Sequence, residues 1–115
     1  MRQTDVIPEA TQTAKKQLAA GDISGAERLL FQQLQLTPHD RETHYYYCVC
    51  LRYLTRLSDA RDELETLLGR FPRFARGYQE IGYTFKALND QDKALSSFRT
   101  AVTLNAALLG SRRAL

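Results

Sequence analysis

The most reactive side chains in this sequence are two thiols, Cys48 and Cys50. They stand two apart inside a stretch with helical spacing of apolar residues, which turns them about 200° away from each other. From one helix they can neither bridge nor share a metal. They read as two small buried or half-buried apolar residues of a reducing compartment. His39 and His44 are five apart, the first in a turn and the second at a packing position, with no matching carboxylate or thiol cluster beside them. That is a poor metal site. The glycines stand singly, so no loop could cradle phosphate. Asp59, Asp62, Glu63 and Glu65 form an acidic helix start that favours the helix dipole and is read as solvated. The Arg112-Arg113 pair reads as surface charge. The expectation is therefore no catalytic group, no metal and no cofactor: not an enzyme by this chain alone.

The chain has 115 residues, 43% of them apolar and 25% charged, enough for one packed soluble domain. Its formal charge of +3 is a mild basic bias. It lacks the Lys/Arg clustering of a nucleic-acid binder but leaves room for an acidic protein partner. Met1 to Ala10 holds no apolar signal region, and no apolar run approaches a membrane span. The expected location is cytoplasmic.

What must position these residues is a repeat. Pro38 and Pro72 are 34 apart; Ala26, Ala60 and Ala94 keep that period, as do Leu30, Leu64 and Phe98, and Gln33, Leu67 and Ala101. Three units follow, roughly Ile7–Asp40, Arg41–Phe74 and Ala75–Leu108. The third reads Tyr78, Ile81-Gly82, Phe85, Ala94, Phe98 and Ala101, with Ala106 where a closing proline would stand. The second reads His44, Tyr47-Cys48, Leu51, Ala60, Leu64, Leu67 and Pro72. The first is weak in its first helix (Ala10, Thr13-Ala14, Gln17) and recovers with Ala26, Leu30 and Pro38. A polar first helix suits an end unit, whose outer face meets water. Small residues at Ala14, Cys48 and Gly82, and at Ala26, Ala60 and Ala94, permit close helix crossing.

Punctuation predicts helices near 6–20, 23–36, 40–54, 57–70, 74–88 and 91–105, with a seventh stretch from about 108. Pro8 fits a first turn. Asp22 caps after Gly21. Thr37-Pro38 and Phe71-Pro72 end helices.

The period and these residues resemble the tetratricopeptide repeat, a helix–turn–helix unit. The resemblance implies an all-α fold: a right-handed superhelical solenoid of antiparallel helix pairs, three repeats plus a C-terminal partial helix, in a single domain over 1–115. It also implies a concave groove lined by the first helix of each unit. The groove positions are Thr11, Lys15 and Leu18; Glu42, Tyr45, Val49, Arg52 and Tyr53; and Arg76, Gln79, Tyr83, Lys86 and Ala87. The opposite stripe, His44, Tyr47, Cys48 and Leu51, is predicted to be core. Lys15, Arg52, Arg76 and Lys86 beside Tyr45, Tyr53 and Tyr83 suit a protein or peptide carrying carboxylates and apolar side chains. A chaperone-tail clamp of the family would need Lys, Asn, Asn, Lys and Arg where this chain has Thr11, Lys15, Tyr46, Arg76 and Glu80, so that function is rejected.

A narrower resemblance runs through Tyr45-Tyr46-Tyr47, Cys50-Leu51-Arg52-Tyr53-Leu54, Gly77-Tyr78-Gln79-Glu80-Ile81-Gly82 and Ala101-Val102-Thr103-Leu104-Asn105. It is similar to the repeat region ahead of a sulfotransferase-like domain in bacterial proteins. Arg112 and Ala106 depart from it, where Trp and Pro are usual. It implies the alternative of an accessory docking domain whose catalytic part lies outside this chain. The segment from about Asn105, with apolar Leu108, Leu109 and Leu115, is expected either to cap the third unit or to pair with another copy.

Overall fold

The computed structural model describes residues 7–113, with side chains as far as Ala107. Its elements are α1 (Glu9–Ala19), α2 (Ile23–Leu36), α3 (Arg41–Tyr53), α4 (Leu57–Arg70), α5 (Ala75–Ala87) and α6 (Gln91–Arg113). Two compact units divide the chain inside α4, at Glu63 and Leu64.

In the first unit α1 packs on α2, α2 on α3, and α1 meets α3. Ala14, Ala26, Leu30, Tyr47, Cys50, Leu51 and Ala60 form the core, with Leu18, Ile23, Leu29, Leu34 and Tyr46 half-buried around it. Ala14, Ala26 and Ala60 are wholly buried, as close helix crossing requires. In the second unit α5 and α6 form a hairpin. A side-chain carbon added at Gly82 would come within 2.6 Å of the Phe98 ring, so the glycine exists to seat that ring. Ile81, Phe85, Ala94 and Ala101 are buried there, as the repeat pattern predicts.

The turn inside each helix pair repeats in three dimensions. Gly21, Thr55 and Asn89, spaced by the same period of 34, have φ of +88°, +60° and +65°. The amide two past each helix cap reaches back to a carbonyl: Asp22 N to Gln17 O at 2.8 Å, Arg56 N to Leu51 O at 2.9 Å, Asp90 N to Phe85 O at 2.9 Å. This left-handed closure satisfies the last carbonyls of α1, α3 and α5. Aspartates open three of the helices: Asp22 accepts from Gly25 N, Asp40 from Thr43 N and Asp90 from Lys93 N.

Two expectations about the helices need correction. Pro8 is the residue before α1, not in its first turn. Its fixed φ suits either place, and Glu9 becomes the first helical residue. α6 does not end near 105 with a new stretch from 108; one helix runs to Arg113. Pro38 and Pro72 follow the ends of α2 and α4, whereas Ala106 keeps its amide and continues the helix. The expectations for a helix start at residue 6 and for the side chains of Leu108, Leu109, Arg112, Arg113 and Leu115 fall outside the described residues.

Candidate functional site

In the first unit, packing sorts the faces of α3. Thr43, His44, Tyr47, Cys48, Cys50 and Leu51 are buried. Glu42, Tyr45, Tyr46, Val49 and Arg52 are half-buried and Tyr53 is exposed. From α1, Lys15 is exposed and places its ammonium 5.3 Å from the centre of the Tyr46 ring. Tyr45 meets Tyr46 edge-on at 5.0 Å. The Arg52 guanidinium lies 4.7 Å from the Tyr53 ring centre. Glu42 pairs with Arg41 at 3.2 Å. Each cation thus lies against an aromatic face that helps to hold its position. Sequence reasoning paired Lys15 with the groove tyrosines but gave Tyr46 no such role; its aromatic neighbours, Tyr45 and Tyr47, were the only available signal.

Thr11 does not belong to this face. It is wholly buried, with its hydroxyl 2.7 Å from that of Thr43. Thr43 donates to Asp40 at 2.7 Å, so Thr11 must be the donor to Thr43. A buried hydroxyl needs such a partner, and this relay ties α1 to the cap of α3. Spacing alone could not reveal it, because the partner is 32 residues away.

In the second unit, α5 buries Gly77, Glu80, Ile81, Gly82, Thr84 and Phe85. Arg76 is half-buried, while Gln79, Tyr83, Lys86 and Ala87 are exposed. Arg76 stacks 5.0 Å over Phe74, Gln79 donates to the Tyr83 hydroxyl at 3.2 Å, and Tyr83 meets Phe98 edge-on at 5.2 Å. Glu80 is buried, and with Thr11 buried as well, two of the five clamp-equivalent positions face the packing side.

The packing side of the first unit holds a polar network that sequence reasoning missed. His44 is buried, with Nε2 2.7 Å from the Glu63 carboxylate. The donor is therefore Nε2–H, and Glu63 is a partner held on α4. Nineteen residues separate the two, so no local spacing announces the pair. Nearby, Arg56 bridges Asp59 at 3.2 Å and Glu27 at 3.7 Å. Its hydrogen bond to Asp59 raises the guanidinium pKa further. Burial, with the Glu27 charge second, pushes the Tyr47 phenol above its ordinary value. The same two causes push the Cys50 thiol up to about 12. A thiol so strongly protonated is a packing residue and not a nucleophile. Among the described residues no group of acids, histidines and cysteines could hold a metal ion.

No family model matches the chain, and no curated protein matches it. Solved structures do. The TPR2B domain of yeast Sti1, in complex with pHsp70, superposes with a TM-score of 0.81 at 20% identity, over 92% of this chain and 85% of that one. The fold is the tetratricopeptide repeat. MamA MSR-1 gives a TM-score of 0.77 at 22% identity over 85% of this chain, and MamA AMB-1 gives 0.77 at 21% over the same share. This tetratricopeptide-repeat chain spans only 56% and 58% of the length of those two MamA chains.

Proposed function

We propose that the chain is a protein-interaction module that holds a peptide or partner segment on the outward faces of its first helices. In the first unit the contact residues are Lys15, Glu42, Tyr45, Val49, Arg52 and Tyr53; in the second they are Arg76, Gln79, Tyr83 and Lys86. One observation carries the reading: the α3 and α5 positions that packing leaves uncovered carry arginine and tyrosine, with Tyr53 57% exposed and Tyr83 41% exposed. Arginine and tyrosine are the residue types that dominate binding energy at protein interfaces. The Sti1 domain, whose fold this chain shares, is described in complex with pHsp70. Such neighbours favour an interaction module over the docking domain of a sulfuryl-transferring enzyme.

The finer reading is an acidic partner, because the cations outnumber the single acid, Glu42, on these faces. Pairing of copies through the C-terminal helix also belongs to it. Two buried free thiols suit a reducing compartment, which is the basis for a cytoplasmic location. Among the described residues no helix is long and apolar enough to cross a membrane.

The test is fluorescence anisotropy with a labelled peptide rich in Asp, Glu and Phe, beside pull-down with the chain as bait. Arg52→Glu/Arg76→Glu should keep the helical spectrum and weaken peptide binding by tenfold or more, since two charge-assisted contacts at about 1 kcal/mol each are removed and reversed. Equal binding by the folded variant would remove these faces from consideration.

A further inference from the structure

The turn between α4 and α5 concentrates positive charge. Arg70, Arg73 and Arg76 fall within seven residues, and no acid stands between Glu65 and Glu80 in the sequence. Glu80 itself is buried. Arg70 and Arg73 are exposed and Arg76 is half-buried. Each is three residues from the next, so at most about 11 Å of chain separates neighbours, and one partner segment can meet all three. The turn is firmly held. The Tyr78 hydroxyl donates to the Pro72 carbonyl at 2.9 Å. The Phe74 ring is buried, and a Cβ added at Gly77 would stand 3.0 Å from it and 2.8 Å from Leu68. The ring beneath the Arg76 guanidinium is thus itself fixed.

The fold does not require these arginines. The turn between α2 and α3 has the same backbone bonds: Thr37 N reaches Gln33 O at 2.9 Å and Asp40 N reaches Thr37 O at 3.2 Å, as Phe71 N reaches Leu67 O at 2.8 Å and Phe74 N reaches Phe71 O at 3.2 Å. One period of 34 earlier, Leu36, His39 and Glu42 take the places of Arg70, Arg73 and Arg76. The two turns share their proline, Pro38 and Pro72, and do not share the charge. Three like charges set close together repel, and a partner's carboxylates relieve that repulsion. Tyr83 follows Arg76 by seven residues, two helical turns on and on the same face. The rise between them is about 10 Å, the length of about three residues of extended chain. We infer that this part of the site takes a protein segment in which a run of carboxylates and an aromatic or large apolar side chain stand about three residues apart. The carboxylates meet the guanidinium forks of the turn, and the apolar side chain meets the exposed Tyr83 ring. The inference rests on the reading of α5 as a partner-binding face. It adds Arg70 and Arg73 to that face and sets the spacing of the partner's residues.

Anisotropy with short labelled peptides tests it. Glu-Glu-Glu-Ser-Ser-Phe and the reverse order, Phe-Ser-Ser-Glu-Glu-Glu, carry the spacing; Glu-Glu-Glu-Phe-Ser-Ser has the same composition without it. One of the first two should bind about fivefold or more tightly than the third, since only the spaced peptides reach both the turn and Tyr83. Arg70→Gln/Arg73→Gln should keep the helical spectrum, both side chains being exposed, and weaken the better peptide by about tenfold. Equal binding of all three peptides overturns the spacing. Equal binding by the folded Arg70→Gln/Arg73→Gln variant overturns the role of the turn, and the α5 face still stands if Arg52→Glu/Arg76→Glu has lost binding. If Arg52→Glu/Arg76→Glu also binds as before, the face and the inference fall together. A short single-stranded RNA that binds more tightly than any of the peptides, and is released by the Arg70 and Arg73 substitutions, would give the turn to nucleic acid and overturn the partner inferred here.

Discussion

Thr55 is the residue least suited to its place. A β-branched side chain at φ +60° is costly, while Gly21 and Asn89 occupy the equivalent positions with types that accept this region. Thr55→Gly should stabilise the fold by about 0.5–1 kcal/mol, the relief of left-handed strain less the added freedom of the unfolded chain. A rise in the urea midpoint at constant slope would show it, and an unchanged or lower midpoint would refute it. Cys50 gives the second prediction at this scale. Its folded pKa is raised, so the stability linked to its proton is whole below pH 9.0 and is lost as pH rises toward about 12. Between those values the unfolded thiol releases a proton that the folded one keeps, at about 1.4 kcal/mol per pH unit. Tyr47, shifted in the same direction from 10.0, adds to the loss above that pH. Urea midpoints at a series of alkaline pH values should fall accordingly, and Cys50→Ala should flatten the part between pH 9 and 10. A curve with no fall there would contradict the assignment. That the two cysteines pack and do not react was legible from their spacing; the charge environment of Cys50 was not, because Glu27 lies on another helix.

The boundaries of α2 and α4 were legible to the residue, since Asp22, Thr37-Pro38 and Phe71-Pro72 act locally. α6 was misjudged because its end was inferred from the period, and Ala106 is where the period loses its proline. Beyond Ala101 the described side chains contribute little to packing: Leu104 is half-buried and Val102, Thr103, Asn105, Ala106 and Ala107 are exposed. Ala106→Pro should therefore cut helical ellipticity without moving the urea midpoint of the single chain, measured at low micromolar concentration. Proline inside a packed helix costs about 3 kcal/mol. A loss of that size here would mean that the last turns belong to the cooperative core. The candidate faces were legible in part, because period and burial assign α3 and α5 positions well. Thr11 escaped because a polar first helix looks exposed in sequence, whereas its hydroxyl relay to Thr43 and Asp40 is buried.

Within each of the two units, helices pack on neighbours close in sequence: α1 on α2 and α2 on α3 in the first, α5 on α6 in the second. Contacts of this local kind close small loops and cost little entropy before they pay back. Refolding should be complete within about 10 ms in stopped flow, with no slow phase that depends on protein concentration. A dominant phase of seconds would contradict a fold assembled from local pairs. The whole was legible because one period of 34 runs through packing residues and turn residues alike. The three left-handed turns carry a consequence for how such a chain can change in length. Gly21, Thr55 and Asn89 present the same backbone geometry and the same returning amide, so the chain is in phase with itself at three places. Excising residues 22–55 would join Gly21 to Arg56 with helix direction and turn handedness preserved, and inserting a second copy of that segment would do the same. Gain or loss of a whole period is thus a splice between interchangeable joints, whereas an insertion of any other length at these points would break the phase.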